Sequence, residues 1–215
     1  MPALQIYLSM QNADHYFTIE KPSMAEFKDR GSKFLGYAFP VITAENFKQY
    51  LQDLKKEHPK AVHHCFAYRL GLTNNIFRVS DDGEPAGTAG RPILGQIDSS
   101  GVTNIAIIVV RYFGGTLLGV PGLINAYKSA ASMALQLTPF VQKTIECYYE
   151  LSFDYTQMGD IMNVVKQYGC SVSEQSMQLF CNLRIGIPKA RLDEVLYKFK
   201  DLHTVGIKPC ARFNA

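Results

Sequence analysis

Three carboxylates lie close together in a polar stretch of the chain, at Asp81, Asp82 and Glu84. Their oxygens could hold Mg²⁺ or serve as a general base, although the spacing of an EF-hand is absent. Aspartate and glycine are also ordinary turn formers, and the aspartate side chain can bond to local backbone N–H groups. Two interpretations therefore stay open: a site, or a turn whose carboxylates pair with a nearby arginine.

Two adjacent histidines, His63 and His64, precede this stretch. The residues from 62 to 70 alternate in the manner of a strand, so successive side chains point to opposite faces. The two rings cannot then easily bind one metal ion. We expect one histidine in the core and the other at the sheet surface. A binding or catalytic role is open for His63 or His64 but not both, and His64 is included among the candidate site residues.

A glycine-rich loop with Gly114-Gly115 and Gly119 follows an apolar run. Such a loop can present backbone N–H groups and a helix N-terminus to an anion. It is not a Walker A loop, because Val120-Pro121 stands where Lys-Ser/Thr is required. The alternative is a tight turn that allows a helix to pack closely.

Arginine is the only permanently charged basic residue between positions 61 and 127. Its planar guanidinium group suits bidentate contact with phosphate. Arg69, Arg91 and Arg111 are therefore candidates for anion or nucleic-acid binding, and the last two could instead meet a loop carboxylate. Tyr112 could stack on a base, although aromatic residues on strands more often belong to the core.

The elements that position these residues can be predicted from hydrophobic periodicity. Residues 105–110 form an unbroken apolar run, which is typical of a central strand covered on both faces. Pro121 suits the first turn of the helix that follows. One face of this helix is predicted to be buried, with Leu123, Tyr127, Ala130, Ala134 and Leu137 at helical spacing. The small residues Ala126, Ala130 and Ala134 would let the helix lie close to the sheet.

The rest of the first half shows alternating strands and amphipathic helices. Residues 16–42 are predicted to be β-rich, and 44–57 to form a helix that ends at His58-Pro59. Residues 62–80 predict a hairpin whose turn contains Asn74-Asn75. A short helix is expected over 93–99.

The second half carries a complete set of elements of its own. Residues 140–143 resemble a linker, and the order β-α-β-β-α-β follows, which is that of a ferredoxin-like domain. The last helix is predicted to start at Pro188. We therefore expect an α+β protein with domains at 1–139 and 140–215.

Composition sets broad limits on function. The chain has 215 residues, 47% of them hydrophobic, with a net charge of +3 that resides in residues 1–143. A mildly basic chain is compatible with nucleic-acid binding. No apolar stretch approaches the ~18 residues of a membrane span, and the N-terminus does not resemble a signal peptide, so a cytoplasmic protein without membrane contact is expected.

Cysteine usage indicates neither a disulfide framework nor a metal site. The five cysteines are well spread and contain no CxxC pair. Cys147 and Cys181 fall on the apolar phase of predicted strands, as small core residues do. No cofactor motif is present, so neither a metal nor a cofactor is expected.

Three segments resemble those of the YigZ/IMPACT family: HHCFAYRL (63–70), SDDGEPAGTAGRPIL (80–94) and VVRYFGGTLLGVPGLINAY (109–127). The resemblance implies a first domain of the β-α-β class seen in domain IV of elongation factor G and in a ribosomal small-subunit protein. It implies a tail similar to domain V of that factor. Eukaryotic IMPACT proteins regulate translation by competing for the activator of an initiation-factor kinase. The quoted segments are not accompanied by a sequence like the extra N-terminal domain of those proteins, so a member of the bacterial type is expected.

Two functional hypotheses follow. The first is a translation-linked regulator that binds RNA, a ribosomal surface or a translation factor, with a steep salt dependence if arginines grip phosphates. The alternative is an enzyme acting on a phosphorylated substrate, with loops 81–91 and 111–119 facing each other across an active site. A deep carboxylate-lined pocket would favour the enzyme, and an open arginine-lined sheet would favour binding. A protein-interaction module without a polyanion partner is a third possibility.

Overall fold

The computed structural model describes residues 14–72, 76–176, 180–202 and 204–210. It has the predicted α+β composition and divides into two compact units. The first unit runs to Lys143, and the second comprises the residues from Thr144 onward together with a short segment that ends at His15. None of the helices within these ranges is long and apolar enough to cross a membrane.

A five-stranded antiparallel sheet organises the first unit, with strand order β2-β3-β6-β4-β5. A separate two-stranded sheet pairs β1 with β7. In chain order the elements are β1 (His15–Ile19), β2 (Ser23–Asp29), β3 (Ser32–Pro40), α1 (Ala44–Glu57), β4 (His63–Leu70), β5 (Ile76–Ser80), α2 (Gly90–Ser99), β6 (Ile105–Tyr112), α3 (Gly119–Gln136) and β7 (Phe140–Thr144).

Strand β6 lies at the centre of the five-stranded sheet and is buried on both faces, as its apolar run predicts. Ile105, Ile107 and Val109 pack in the core beneath α2 and α3. The alternate residues Ala106, Ile108 and Val110 pack in a second core beneath α1. Helices therefore cover both faces of this sheet.

Helix α1 has the predicted bounds. The Thr43 side chain accepts a hydrogen bond from the Asn46 N–H at 3.1 Å and caps its N-terminus. Phe47 and Leu54 are buried against the sheet. The His58 N–H closes the C-terminus on the Leu54 carbonyl oxygen.

Helix α3 lies close to the sheet, as its small residues predict. A Cβ atom added at Gly36 on β3 would lie only 2.4 Å from the Ala130 carbonyl oxygen. Ala126, Ala130 and Ala134 are fully buried, whereas Leu137, predicted in the same stripe, follows the last residue of the helix and is exposed. The helix begins at Gly119, which leaves Pro121 within the first turn.

Two local predictions need correction. Residues 140–143 are not a linker but most of strand β7. Helix α2 begins at Gly90 rather than at residue 93. The predicted hairpin of β4 and β5 is present, whereas its turn at Asn74-Asn75 lies outside the described residues.

The second unit has the predicted ferredoxin-like β-α-β-β-α-β order. Its four strands form an antiparallel sheet in the order β11-β8-β10-β9, with helices packed on one core. The elements are β8 (Glu146–Asp154), α4 (Met158–Gln167), β9 (Ser171–Ser176), β10 (Phe180–Pro188), α5 (Leu192–Asp201) and β11 (Gly206–Pro209).

Details of this unit depart from the sequence pattern. Pro188 ends β10 and a single 3₁₀ turn follows, so the last helix starts at Leu192. Cys181 is buried as predicted, but Cys147 is only partly buried. The predicted first residue of β10, Leu179, lies outside the described residues.

Candidate functional site

A pocket of about 430 Å³ opens in the first unit where the loop between β6 and α3 passes the start of β4. Its polar residues are His63, Glu84 and Arg111. The remaining lining side chains are mostly apolar, namely Val62, Pro85, Phe113, Leu117, Leu118, Val120 and Leu123. A mostly apolar pocket with a few convergent polar groups is the usual form of a ligand site.

Glu84 forms the centre of the polar floor. Its side chain is almost fully buried, and its Oε1 accepts a 2.6 Å hydrogen bond from Arg111 Nη1 and another of 2.6 Å from the Tyr127 hydroxyl. Burial, and then the neighbouring Cys65 and Glu84, raise the pKa of Tyr127, so its hydroxyl keeps its proton. The buried carboxylate is thus paired and hydrogen-bonded, as a buried charge must be.

His63 is held in one orientation beside this carboxylate. Its Nδ1 lies 2.7 Å from the Asp82 carbonyl oxygen, which can only accept, so Nδ1 carries a hydrogen. Its Nε2 lies 3.8 Å from Glu84 Oε1. In the neutral ring this Nε2 is an acceptor at the pocket floor.

His64, the histidine named from the sequence, lies outside the pocket. Its ring is buried on the sheet face covered by α1, near Lys55 and His58. Burial lowers its pKa, and the Asp82 carboxylate opposes that effect only in part. The expectation that the two histidines face opposite ways is correct, but His63 is the one in the pocket.

Asp81 organises the loop rather than lining the pocket. Its carboxylate accepts hydrogen bonds from the backbone N–H groups of Gly87, Ala89 and Gly90 at 2.8–3.0 Å. Burial raises its pKa, but these N–H groups outweigh that effect, so the pKa lies below its usual value. Asp81 therefore fixes the start of α2.

Asp82 also binds groups of the fold and does not line the pocket. It adopts a positive φ of 43°, and its Oδ2 accepts a 2.6 Å hydrogen bond from the His64 N–H. Lys55 Nζ lies 3.9 Å from the other carboxylate oxygen. Asp81, Asp82 and Glu84 therefore have separate partners, and no group of three potential metal ligands comes together within the described residues.

The three candidate arginines are not brought together. Arg111 is buried in the pocket floor, with its Cζ 5.3 Å from the Phe34 ring and 5.7 Å from the Phe113 ring. Its Nε is buried and has no partner in the part of the chain that is described. Arg69 pairs with Asp98 at 2.6 Å, and Arg91 is exposed on α2. Neither of these two lines the pocket.

Tyr112 lies on the sheet face covered by α1, where its hydroxyl is 2.9 Å from His58 Nδ1. The Gly114 N–H donates to Ser32 Oγ at 3.1 Å, and a Cβ there would lie 1.9 Å from the Gly31 carbonyl carbon. Gly115 is exposed with a φ of 85°. These glycines therefore permit a tight turn and a close backbone contact.

Two residues of the floor go beyond the sequence-based expectation. Tyr127 belongs to the predicted buried stripe of α3, but its hydroxyl also contacts Glu84, and of the two candidate histidines it is His63 that lines the pocket. A tyrosine on a buried helix face needs a partner for its hydroxyl, and that need was the available signal. For His63 no comparable signal exists in the sequence.

Comparisons with known proteins agree with the three quoted segments. Residues 30–135 match the Impact N-terminal domain. The Escherichia coli (strain K12) protein IMPACT family member YigZ is 37% identical over 172 residues, covering 79% of this chain and 84% of that protein. Bacillus subtilis (strain 168) IMPACT family member YvyE is 35% identical over 152 residues, covering 71% and 70%.

Two further matches extend this comparison. Protein IMPACT of Oryctolagus cuniculus is 34% identical over 96 residues, which cover 42% of this chain and 30% of that protein. A crystal structure described as that of a hypothetical protein is 31% identical, with a TM-score of 0.73, and the match covers 94% of this chain and all of that one.

Proposed function

The chain belongs to the IMPACT family, and from this premise we propose that it is a translation-linked binding protein. Its partner is a ribosome-associated protein or RNA, held at the mouth of the pocket in the first unit. One observation carries the proposal: exposed apolar side chains surround a pocket with a polar floor. Such exposed apolar groups beside a pocket mark an interaction site.

The mouth is formed by four large apolar residues, Val62, Phe113, Leu117 and Val120, each about half exposed or more. Leu117 is 82% exposed. Because these side chains remain exposed to water, they contribute little hydrophobic free energy to the folding of the first unit. They would contribute it to binding when a partner covers them.

The same geometry favours a protein partner over RNA. Arg69 and Arg111 already form ion pairs, so neither is free to neutralise a phosphate. Helices cover both faces of the five-stranded sheet, so bases cannot stack across it as they do on open RNA-binding sheets. Arg91 remains exposed as one possible phosphate contact.

Co-sedimentation of the full chain with purified ribosomes tests the proposal. We expect Leu117→Gln to weaken co-sedimentation about tenfold, because a polar group replaces the most exposed side chain of the mouth. Leu137→Gln is the matched control: Leu137 is exposed at the end of α3 and does not line the pocket. Equal binding by both variants, or no binding by the wild-type chain, contradicts the proposal.

A second candidate function is catalysis, and the His63–Glu84 pair favours it. The Asp82 carbonyl oxygen orients the His63 ring, whose Nε2 is an acceptor in a partly enclosed pocket, as a general base requires. Loops 81–91 and 111–119 both contribute residues to this pocket, which supports the two-loop arrangement of the enzyme hypothesis.

Hydrolysis of p-nitrophenyl phosphate tests this candidate. We expect His63→Gln to abolish turnover by the purified chain and His64→Gln to retain it, because the second ring lies on the opposite face of the sheet. Absence of turnover in the wild-type chain, or equal loss in both variants, contradicts a catalytic role.

A further inference from the structure

We infer that the pocket receives a tyrosine side chain of the partner, with the phenol hydroxyl donating to the floor and the ring lying against the apolar wall. This inference rests on the proposed binding function and names the chemistry of the partner group. It follows from the hydrogen-bonding capacity, the charge and the shape of the pocket.

The floor offers acceptors. Both hydrogen bonds to Glu84 and the nearest approach of His63 involve its Oε1. Its Oε2 accepts no hydrogen bond from the described residues. In the neutral His63 ring, Nε2 is a second acceptor, because Nδ1 then carries the hydrogen. Arg111, which lines the same floor, adds a donor, because its Nε–H is buried and has no partner among the described residues. A ligand hydroxyl can donate to one of the two acceptors and accept from this N–H.

The charge of the floor is balanced. Arg111 neutralises Glu84 at 2.6 Å, so the pair carries no net charge. A ligand ammonium or carboxylate at this depth would add one uncompensated charge to a largely apolar site, which is strongly unfavourable. A neutral donor avoids that penalty, and a hydroxyl group is such a donor.

The walls select the rest of the group. Above the floor the lining consists of aliphatic side chains and the Phe113 ring, which suits an aromatic body. The volume of about 430 Å³ lies in the lower part of the range for small-ligand sites, roughly 300–1,000 Å³. A phenol ring on a partner's tyrosine matches an apolar body with one donor at its tip.

Four small probes of one shape test the inference on the full chain. They are p-cresol, which is the tyrosine side chain as a free molecule, and its analogues toluene, p-toluate and 4-methylbenzylamine. We expect p-cresol to bind at least about tenfold more tightly than toluene, the effect of one hydrogen bond to a charged acceptor. Both charged probes should bind more weakly than p-cresol.

Amide chemical shifts locate the binding. The p-cresol titration should move the resonances of Val62, Leu117 and Val120 and leave that of Leu137 unchanged. Leu117→Gln should weaken p-cresol binding several-fold, and Leu137→Gln should not. No p-cresol binding at this pocket, an equal affinity for toluene, or tighter binding of either charged probe would overturn the inference.

The ribosome experiment separates this failure from that of the proposed function. If Leu117→Gln abolishes co-sedimentation but p-cresol does not bind, the partner uses the mouth without a tyrosine in the pocket. If p-cresol binds as expected but the chain does not co-sediment with ribosomes, the ligand chemistry stands and the translation-linked partner is wrong.

Discussion

Arg111 and Glu84 neutralise each other inside the first unit, so the burial of each charge depends on the presence of the other. We expect Glu84→Gln to lower the free energy of unfolding by about 3–5 kcal/mol, because it leaves a buried guanidinium group without its counter-charge. Urea unfolding followed by circular dichroism measures this loss.

Two further variants separate charge from hydrogen bonding at the same cluster. Tyr127→Phe removes one hydrogen bond to Glu84 and should cost about 1.5–3 kcal/mol. The double variant Glu84→Gln/Arg111→Met should lose clearly less than the sum of its single changes, since it leaves no unpaired charge. Strict additivity would show that the two side chains are not coupled.

His64 should make stability depend on pH. Burial holds its folded-state pKa below the ordinary value of 6.5, so the unfolded chain binds its proton first as the pH falls. The contribution of His64 is therefore fully present above pH 6.5 and declines below it. We expect the urea midpoint to fall between pH 7 and pH 5, and to fall less in His64→Leu.

The neighbours of His64 bear on the result. Asp82 favours its charged form, whereas Lys55 and His58 oppose it. Because His58 and the other histidines are common to the wild-type chain and the variant, the difference between the two pH profiles isolates His64. Identical profiles would mean that this ring titrates alike in the folded and unfolded states.

At the residue scale, sequence reasoning reached the site only in part. It offered a loop carboxylate as a partner for an arginine, and Glu84 with Arg111 realises that alternative. Alternation showed that His63 and His64 diverge, but not which face carries the pocket. That choice depends on where α3 and its preceding loop pack, which no local pattern encodes.

At the scale of elements, the close contact of α3 with β3 depends on the lack of a side chain at Gly36. We expect Gly36→Ala to destabilise the chain by more than about 2 kcal/mol, because the added Cβ would lie 2.4 Å from a backbone oxygen of Ala130. Thermal and urea unfolding measure the change.

Gly95 provides the matched control for Gly36. It lies inside α2, and a Cβ added there meets no atom within 4 Å. Gly95→Ala should therefore stabilise the chain by about 0.5–1 kcal/mol through helix propensity alone. A similar loss of stability in both variants would contradict the close-packing explanation.

The elements themselves were largely predictable, because apolar runs and helical stripes report burial directly. The predicted bounds of helices and strands were wrong where residues distant in the sequence determine them. Asp81 accepts from the N–H groups of Ala89 and Gly90, so α2 begins before its own apolar pattern does. Strand β7 forms because β1, more than 100 residues earlier, supplies its partner.

For the whole molecule, net charge is a poor guide to polyanion binding. The charge of +3 lies in residues 1–143, yet Arg69 and Arg111 are engaged in ion pairs. Of the three candidate arginines only Arg91 is without an ion pair among those described, so we expect the three together to contribute no more than ~0.7 in log K per log salt to the binding of single-stranded RNA, the slope of one phosphate contact. A salt titration by fluorescence anisotropy measures it.

Arg91→Gln is the informative variant in that titration, because Arg111→Ala would leave Glu84 buried and unpaired. The slope should fall by about one contact when the exposed Arg91 is replaced. A slope of two or more contacts that persists in Arg91→Gln would mean that RNA grips a different surface and that the preference for a protein partner is wrong.

Strand β6 has a consequence for how the sheet finds its alignment. Six consecutive apolar residues would fill the two cores almost equally well after a shift of one position. Hydrophobicity alone therefore does not determine the register of this strand. The last two residues of the strand distinguish the two registers. Arg111 pairs with Glu84 on one face of the sheet, and Tyr112 contacts His58 on the other. The polar end of the strand thus determines the register of β6, and with it which side chains face each core.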